Sequence, residues 1–160
     1  VVVGHRLRTK SNIFDAIFRT PRLKREEQQC KDKAMEVLEF VEVAHLAHLP
    51  VGLISQEAQK RVAIALALAT DPEIVFLDEP AGGVNPEETD GLAQLMRKMV
   101  AHGVTVCTIE HKMQMIMNLA DKIMVINYGE KIAEGTPDEV KNNQAVIEAY
   151  LGGSAVAEAQ

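Results

Sequence analysis

The chain has 160 residues, of which 47% are hydrophobic, enough to bury one core. Its formal net charge of −6 argues against a general nucleic-acid binder, and no apolar run is long enough to span a bilayer. The first residues lack the cleavage pattern of a signal peptide, so we expect a cytoplasmic protein. Cys30 and Cys107 fit no metal-ligand spacing, and we expect both to be reduced, with Cys107 buried.

Helical patterns occupy the first part of the chain. Residues 11–20 can form a short helix, with Ser11 as its cap and Pro21 as its stop. Residues 24–44 form a longer helix, whose Ala34, Leu38 and Val41 lie at helical spacing on the buried side.

A loop over residues 45–53 leads to another strongly helix-prone segment. Ser55 is a natural cap for a helix over residues 56–69. The expected buried seam of this helix is Ala58, Val62, Leu66 and Ala69.

The rest of the chain is organised around residues 72–80. The four apolar residues 74–77 predict a strand buried on both faces, as in parallel sheets covered by helices. Asp78 and Glu79 follow at its carboxyl end, where open α/β sheets bind ligands and where nucleoside triphosphatases hold Mg²⁺. A strand that simply ends in polar residues is the alternative, but the Pro80, Gly82 and Gly83 that follow favour a site.

A second helix and strand follow in the same order. Asn85 caps a helix that ends at His102 and Gly103. Residues 104–109 form another buried strand, which delivers Glu110 and His111 to the edge that holds Asp78 if the strands are parallel. The buried face of the helix is Leu92, Leu95, Met96 and Met99.

The last third of the chain is predicted as a helix, a hairpin and short terminal helices. Residues 111–119 are helical with Met113, Ile116 and Met117 inward, and residues 122–127 and 131–134 form the hairpin. Thr136 caps the next helix, and a final helix covers residues 145–151.

At this point the order of parts resembles a known family, the ATP-binding cassette (ABC) ATPases. Residues 67–86, ALATDPEIVFLDEPAGGVNP, resemble the family from the end of the signature helix, through the Walker B strand, into the D-loop. Residues 105–111, TVCTIEH, are similar to its switch-histidine strand. The basic insertion up to Glu27, the Asn85-Pro86 pair and residues 146–152 resemble the ATP-binding subunits of branched-chain amino acid importers.

This resemblance implies the fold and the domain organisation. The implied class is α/β, a partial P-loop NTPase (RecA-like) core with a mainly parallel sheet, plus a helical subdomain. Residues 1–70 would be the helical, signature-bearing subdomain, residues 71–153 the C-terminal half of the nucleotide-binding core, and residues 154–160 a flexible tail.

The resemblance also implies roles for individual residues. Asp78 matches the carboxylate that holds Mg²⁺ through water, and Glu79 matches the general base that orients the attacking water. His111 matches the switch histidine that senses the γ-phosphate. Gly83 and Asn85 match the D-loop, which contacts a second cassette, and Ser55, Gln56 and Glu57 match the signature that faces the nucleotide of that second cassette.

Two departures from the family pattern bear on activity. The sequence contains no G-x-x-x-x-G-K-[ST] motif and no Gly-Lys pair, so the phosphate-binding loop is missing, and relative to the family we expect the chain to begin just after the Q-loop. Where the family has Leu-Ser-Gly/Tyr-Gly-Gln, this sequence has Ile54, Ser55, Gln56, Glu57 and Ala58, so Ser55 is kept and the second glycine is replaced by the carboxylate of Glu57. The carboxylate of Glu57 would lie near the γ-phosphate of the second cassette and repel it, and Glu57 is also a favourable first-turn residue of its own helix. Both interpretations can hold, and both count against full ATPase function.

The implied function is that of the ATP-hydrolysing subunit of a branched-chain amino acid ABC importer, with ATP and Mg²⁺ bound weakly or not at all by this chain alone. Its partners would be transmembrane permease subunits and a second cassette, on the cytoplasmic face of the inner membrane. A non-catalytic module that docks on a transporter or a second cassette is the alternative, and a nonfunctional fragment is a third. An uncovered sheet edge and apolar face predict a dimer or an aggregate for the isolated chain.

Overall fold

The computed structural model describes residues 1–6 and 21–151 and divides the chain into two units, Val1–Ile109 and Glu110–Gln160. The division falls after the second strand, so the predicted subdomain boundaries at residues 70 and 153 stay predictions. The helix predicted over residues 11–20 and the tail over 154–160 lie outside the described residues. None of the helices within the described ranges is both long and apolar enough to cross a membrane.

Helices and strands are numbered in chain order. The first unit contains α1 (Val2–Arg6), α2 (Pro21–Phe40), α3 (Gln56–Leu68), β1 (Ile74–Asp78), α4 (Pro86–Ala101) and β2 (Thr105–Ile109), with 3₁₀ turns at Ala44–Leu46 and Val51–Leu53. The second contains α5 (Met113–Leu119), β3 (Ile123–Asn127), β4 (Glu130–Gly135), α6 (Pro137–Lys141) and α7 (Gln144–Val146), followed by a π-helical turn at Ile147–Leu151.

Helix α2 confirms the predicted amphipathic pattern. Ala34, Leu38 and Val41 are all buried. The helix begins three residues earlier than predicted, at Pro21, and ends at Phe40. It stops there because Glu42 adopts a left-handed conformation, with φ of 67°, which cannot continue a right-handed helix.

Helix α3 confirms its predicted cap but not its predicted seam. The Ser55 hydroxyl accepts a hydrogen bond from the Ala58 amide at 3.2 Å. Ala58 and Ala69 are buried, as predicted, whereas Val62 is only half-buried and Leu66 is 44% exposed, so the seam as a whole is not confirmed. Apolar residues surround most of this helix, and spacing alone therefore does not select one side. Its buried residues are Ala58, Arg61, Ile64, Ala65 and Leu68.

The two strands of the first unit pair in parallel, as predicted, in a register that places Ile74 opposite Thr105 and Asp78 opposite Ile109. Burial of β1 on both faces is wrong, because Val75 is buried whereas Phe76 is 73% exposed. Helix α4 packs against β2, and the opposite face of the described sheet is open.

Cys107 shares the open face of the sheet, since it pairs in register with Phe76. The expectation that Cys107 is buried is therefore wrong; Cys30, on α2, is the buried thiol. Both cysteines are free, as expected.

Helix α4 is fixed at both ends. Asn85 forms a capping box with Glu88, and Gly103, with φ of 87°, follows the C-cap His102. The four predicted core residues are confirmed as fully buried: Leu92, Leu95, Met96 and Met99.

The second unit is a hairpin covered by short helices. Strands β3 and β4 are antiparallel, as predicted, and are joined by Tyr128 and Gly129, whose positive φ values of 47° and 84° are those of a two-residue hairpin turn. Thr136 forms a capping box with Glu139 at the start of α6. In α5, which begins at Met113, Met115 and Ile116 are buried, whereas Met113 and Met117 are half-buried. The core consists of Ile116, Ile123, Ala133, Val140 and Val146.

Glu134 on β4 carries a pH-dependent contribution to stability. Ion pairs with Lys122 and Lys131 lower its pKa to about 2. This pKa lies below the ordinary value of 4.5. The ion pairs therefore stabilise the folded state fully above pH 4.5, and this stabilisation is lost as the pH falls towards 2. We expect an NMR titration of the Glu134 carboxyl carbon to show a midpoint near 2.

Substitution of the partner lysine tests the cause of this shift. Lys122→Gln should raise the midpoint of Glu134 towards its ordinary value, whereas Lys141→Gln, in the last turn of α6, is the control and should leave it in place. An equal midpoint in all three proteins would show that Lys122 does not set the pKa.

Candidate functional site

The predicted catalytic carboxylates lie at the carboxyl end of β1. Asp78 is the last residue of the strand, and both Asp78 and Glu79 are exposed. The Glu79 amide donates to the Ile109 carbonyl at 2.9 Å, so the pairing between β1 and β2 continues to the end of both strands. His111 follows β2 by two residues but belongs to the second unit, and its proximity to Glu79 stays a prediction.

The backbone at Glu79 is held in an uncommon conformation. Its φ is 43°, in the left-handed region that non-glycine residues rarely adopt. Its carbonyl accepts hydrogen bonds from the Gly82 amide at 2.9 Å and from the Lys60 ammonium of α3 at 3.3 Å. Strained backbone of this kind persists only where neighbouring groups hold it, and it clusters at functional sites.

The predicted signature and D-loop residues meet within the first unit. Gly83 has φ of 76°, and a Cβ built on it would lie 3.0 Å from Oε1 of Gln56, the first residue of α3. The Asn85 side chain accepts a hydrogen bond from the Glu88 amide at 2.8 Å, which gives it a structural role as the cap of α4. The turn after β1 therefore contacts α3 through Lys60 and Gln56 and leads directly into α4.

Glu57 is engaged by its own helix. Its Oε1 accepts a hydrogen bond from Nε of Arg61 at 2.7 Å, and only 25% of its side chain is exposed. Ser55, two residues earlier, keeps its hydroxyl on the Ala58 amide. The structure thus brings Ser55, Gln56, Glu57, Gly83 and Asn85 into one unit with Asp78 and Glu79.

Asp78 and Glu79 fit the binding mode that Mg²⁺ prefers. No group of three or more His, Cys, Asp or Glu side chains in the described part of the chain could form a protein cage for a metal. Mg²⁺ instead binds one or two carboxylates together with water and substrate phosphates. Paired carboxylates at the end of a strand suit that arrangement, in which the metal arrives with the nucleotide.

Sequence reasoning missed Lys60 and Arg61 of α3. Lys60 ties the helix to the Glu79 carbonyl, and Arg61, 11% exposed, binds Glu57. A signal was present in the sequence, because both cations lie on a helix that is otherwise almost entirely apolar from Ala58 to Ala69. Four-residue spacing links Glu57 to Arg61 on one side of the helix.

Two family models match the sequence. The model described as ABC transporter matches residues 5–82, and the model described as branched-chain amino acid ATP-binding cassette transporter matches residues 130–156. Among curated proteins, the chain is 40% identical to the high-affinity branched-chain amino acid transport ATP-binding protein BraF of Pseudomonas aeruginosa. It is 36% identical to LivG of Escherichia coli, which carries the same description. Each match covers 95% of this chain and 60% of the relative, so the chain spans about 60% of the relatives' length.

Among solved structures, ATP-binding cassettes of ABC transporters share the fold of this chain. A nucleotide-free ATP-binding cassette from an ABC transporter superposes with a TM-score of 0.75 at 29% identity, covering 93% of this chain and 60% of that one. An ABC cassette in its ADP conformation gives 0.74 at 28% identity, with 94% and 62% covered.

The fold is that of a P-loop NTPase of the ATP-binding cassette type. The chain is similar to the ATP-binding proteins of ABC transporters over most of its length, and among them to the branched-chain amino acid transport proteins.

Gly83 provides a test of the contact between α3 and the turn after β1. We expect Gly83→Ala to lower the free energy of unfolding by about 1–2 kcal/mol, because alanine is strained at positive φ. The crowding at Gln56 should add to this loss. Urea denaturation measures the change.

Two other glycines separate strain from crowding. A Cβ on Gly103, with φ of 87°, would meet nothing within 4 Å, and the same holds for Gly52, which lacks a positive φ. Gly103→Ala should therefore show the strain alone, and Gly52→Ala should be nearly neutral. Equal effects for Gly83→Ala and Gly103→Ala would mean that the Gln56 contact contributes nothing.

Proposed function

We propose that the chain acts in ATP hydrolysis as part of the ATP-binding subunit of a branched-chain amino acid ABC importer. The observation that carries this proposal is the pair Asp78 and Glu79, exposed at the carboxyl end of β1, on a backbone held by Lys60 and Gly82. The printed descriptions of BraF and LivG supply the class of transported substrate.

Glu79 is the proposed general base. In the hydrolytic step a water oxygen bonds to the γ-phosphorus, the bond from that phosphorus to the bridging oxygen breaks, and Glu79 accepts the proton of the water. The constrained backbone at Glu79 limits the positions that its carboxylate can take, which favours positioning of the water. Asp78 would hold Mg²⁺ through water, and the metal would supply charge neutralisation at the phosphates. His111 would sense the γ-phosphate.

The nucleotide needs donors that these 160 residues do not supply. The sequence has no P-loop motif, so the amides and the lysine that cradle phosphates must come from another segment or chain. We propose that Ser55, Gln56 and Glu57, together with Gly83 and Asn85, lie at the contact with a second cassette. Transmembrane permease subunits would be the other partners, which places the assembly on the cytoplasmic face of the inner membrane.

A non-catalytic module that docks on a transporter or a second cassette is the second candidate. The open face of the β1–β2 sheet favours it, because Phe76 and Ile109 are 73% and 67% exposed. Exposed apolar area of this kind marks surfaces that bind other chains.

Nucleotide binding separates the two candidates. The isolated chain should bind ATP·Mg weakly or not at all in calorimetric titration, because Asp78 and Glu79 face a polyphosphate without the donors of a P-loop. With the part of BraF that this chain does not match supplied in trans, we expect phosphate release above background. Glu79→Gln should then lower the rate by about 100-fold or more, through loss of the base.

Glu87→Gln is the matched control, since Glu87 is an exposed carboxylate in the first turn of α4. Low-micromolar ATP affinity of the isolated chain would contradict the need for a P-loop. An unchanged rate in Glu79→Gln would exclude this residue as the base, and no hydrolysis in any mixture would favour the docking module.

The open sheet face also predicts self-association. We expect light scattering of the isolated chain to show dimers or larger species, and Phe76→Ser to shift them towards monomer by removing exposed apolar area. Val51→Ser, which alters an apolar residue 57% exposed in a 3₁₀ turn, is the control and should leave the distribution unchanged. A monomer at all concentrations would contradict the prediction.

A further inference from the structure

The guanidinium of Arg61 is a buried charge with three partners. Its Nε donates to Glu57 at 2.7 Å, and its Nη1 donates to the Val41 carbonyl at 3.1 Å and to Glu42 at 3.3 Å. Only 11% of the side chain is exposed. A buried charge is costly without a counter-charge and hydrogen bonds, so these partners determine whether the arginine is tolerated there.

Glu57 is the best placed of the two carboxylates. Its side chain is 25% exposed, whereas that of Glu42 is 66% exposed and correspondingly screened by water. Spacing of four residues on one helix also directs Glu57 along α3 towards Arg61. The carboxylate therefore lies over the body of the helix.

Gly91 of α4 provides the space for this pair. A Cβ built on Gly91 would lie 2.9 Å from Nη2 of Arg61 and 3.4 Å from Oε1 of Glu57. Arginine side chains are flexible, but this one cannot move aside without giving up the hydrogen bonds to Glu57 and Val41. A glycine inside a helix costs stability relative to alanine, and here it allows close approach of α4 to the ion pair.

The same junction holds the end of α2. The Val41 carbonyl, which follows the last helical residue, accepts from Arg61, and the Phe40 carbonyl accepts from Lys98 of α4 at 2.6 Å. Cations at the C-terminal end of a helix satisfy its last carbonyls and its dipole. Three helices are thus joined by two cations, and Glu57 neutralises the more buried one.

We propose that Arg61 is a positioning residue for the first turn of α3 and that Glu57 is its counter-ion. Gly91 lacks a side chain and so leaves room for both. Glu57 then replaces the signature glycine without presenting its charge to a nucleotide. Of the two roles considered for Glu57, the structure favours the one inside its own helix. The link to the signature rests on the proposed function, whereas the junction itself needs no nucleotide.

The sharpest test follows the Nε proton of Arg61 by NMR in the isolated, ¹⁵N-labelled chain, with Arg61→Lys to assign the signal. Glu57→Gln should shift this resonance and raise its exchange with water by about tenfold or more, since it removes a charge-assisted hydrogen bond. Glu42→Gln should leave it in place, because Glu42 bonds to Nη1. An unmoved signal in Glu57→Gln would overturn the proposal.

Thermal unfolding gives a second test, in which Gly91→Ala should change Tm in opposite directions in two backgrounds. In the native background Gly91→Ala should lower Tm by about 3 °C or more, because the methyl group displaces Arg61. In an Arg61→Ala background the same change should raise Tm, because alanine then adds helix propensity without a clash. A rise in both backgrounds would refute the space-filling role of Gly91.

Neither measurement contains nucleotide, so the two proposals fail separately. Absence of hydrolysis in every mixture, or an unchanged rate in Glu79→Gln, would leave the junction intact. An unmoved Arg61 signal would leave Glu79 as the proposed base while removing the account of Glu57.

Discussion

Parallel pairing of β1 with β2 is the constraint on which the rest of the structure depends. Parallel strands end at the same edge of a sheet, and here the pairing runs through to the Glu79 amide and the Ile109 carbonyl. Asp78 and Glu79 therefore emerge at the edge of the sheet where β1 and β2 both end. This arrangement places Asp78 and Glu79 where a ligand of an α/β sheet binds, whichever of the proposed functions holds.

Rigidity at that edge comes from the helical part of the first unit. The left-handed Glu79 is held through its carbonyl by Lys60 of α3, and α3 is itself held to α2 and α4 by Arg61. A change in the first turn of α3 can therefore reach Glu79 through one helix, without a flexible connection. These contacts link the first turn of α3 to the proposed catalytic edge within one chain.

The sequence predicted those features that local chemistry determines. Ser55, Asn85 and Thr136 were found because a helix cap needs an oxygen at one position. Burial was predicted less well, since it depends on what covers each face. Phe76 and Cys107 were expected inside because apolar runs are usually covered, and in the described structure nothing covers their side of the sheet. Arg61 was missed because its three partners are distant in sequence or hidden in an apolar helix.

The open face of the β1–β2 sheet and the absence of a P-loop motif from the sequence are related under the proposed function. A two-stranded parallel sheet exposes one face and both edges, and such sheets are normally buried by further strands and helices. A P-loop lies between a strand and a helix of that kind. Under the proposed function, a strand–loop–helix segment packed against this sheet would cover Phe76 and supply the phosphate donors that Asp78 and Glu79 need. The helical junction around Arg61, by contrast, satisfies its own charges and needs no such partner.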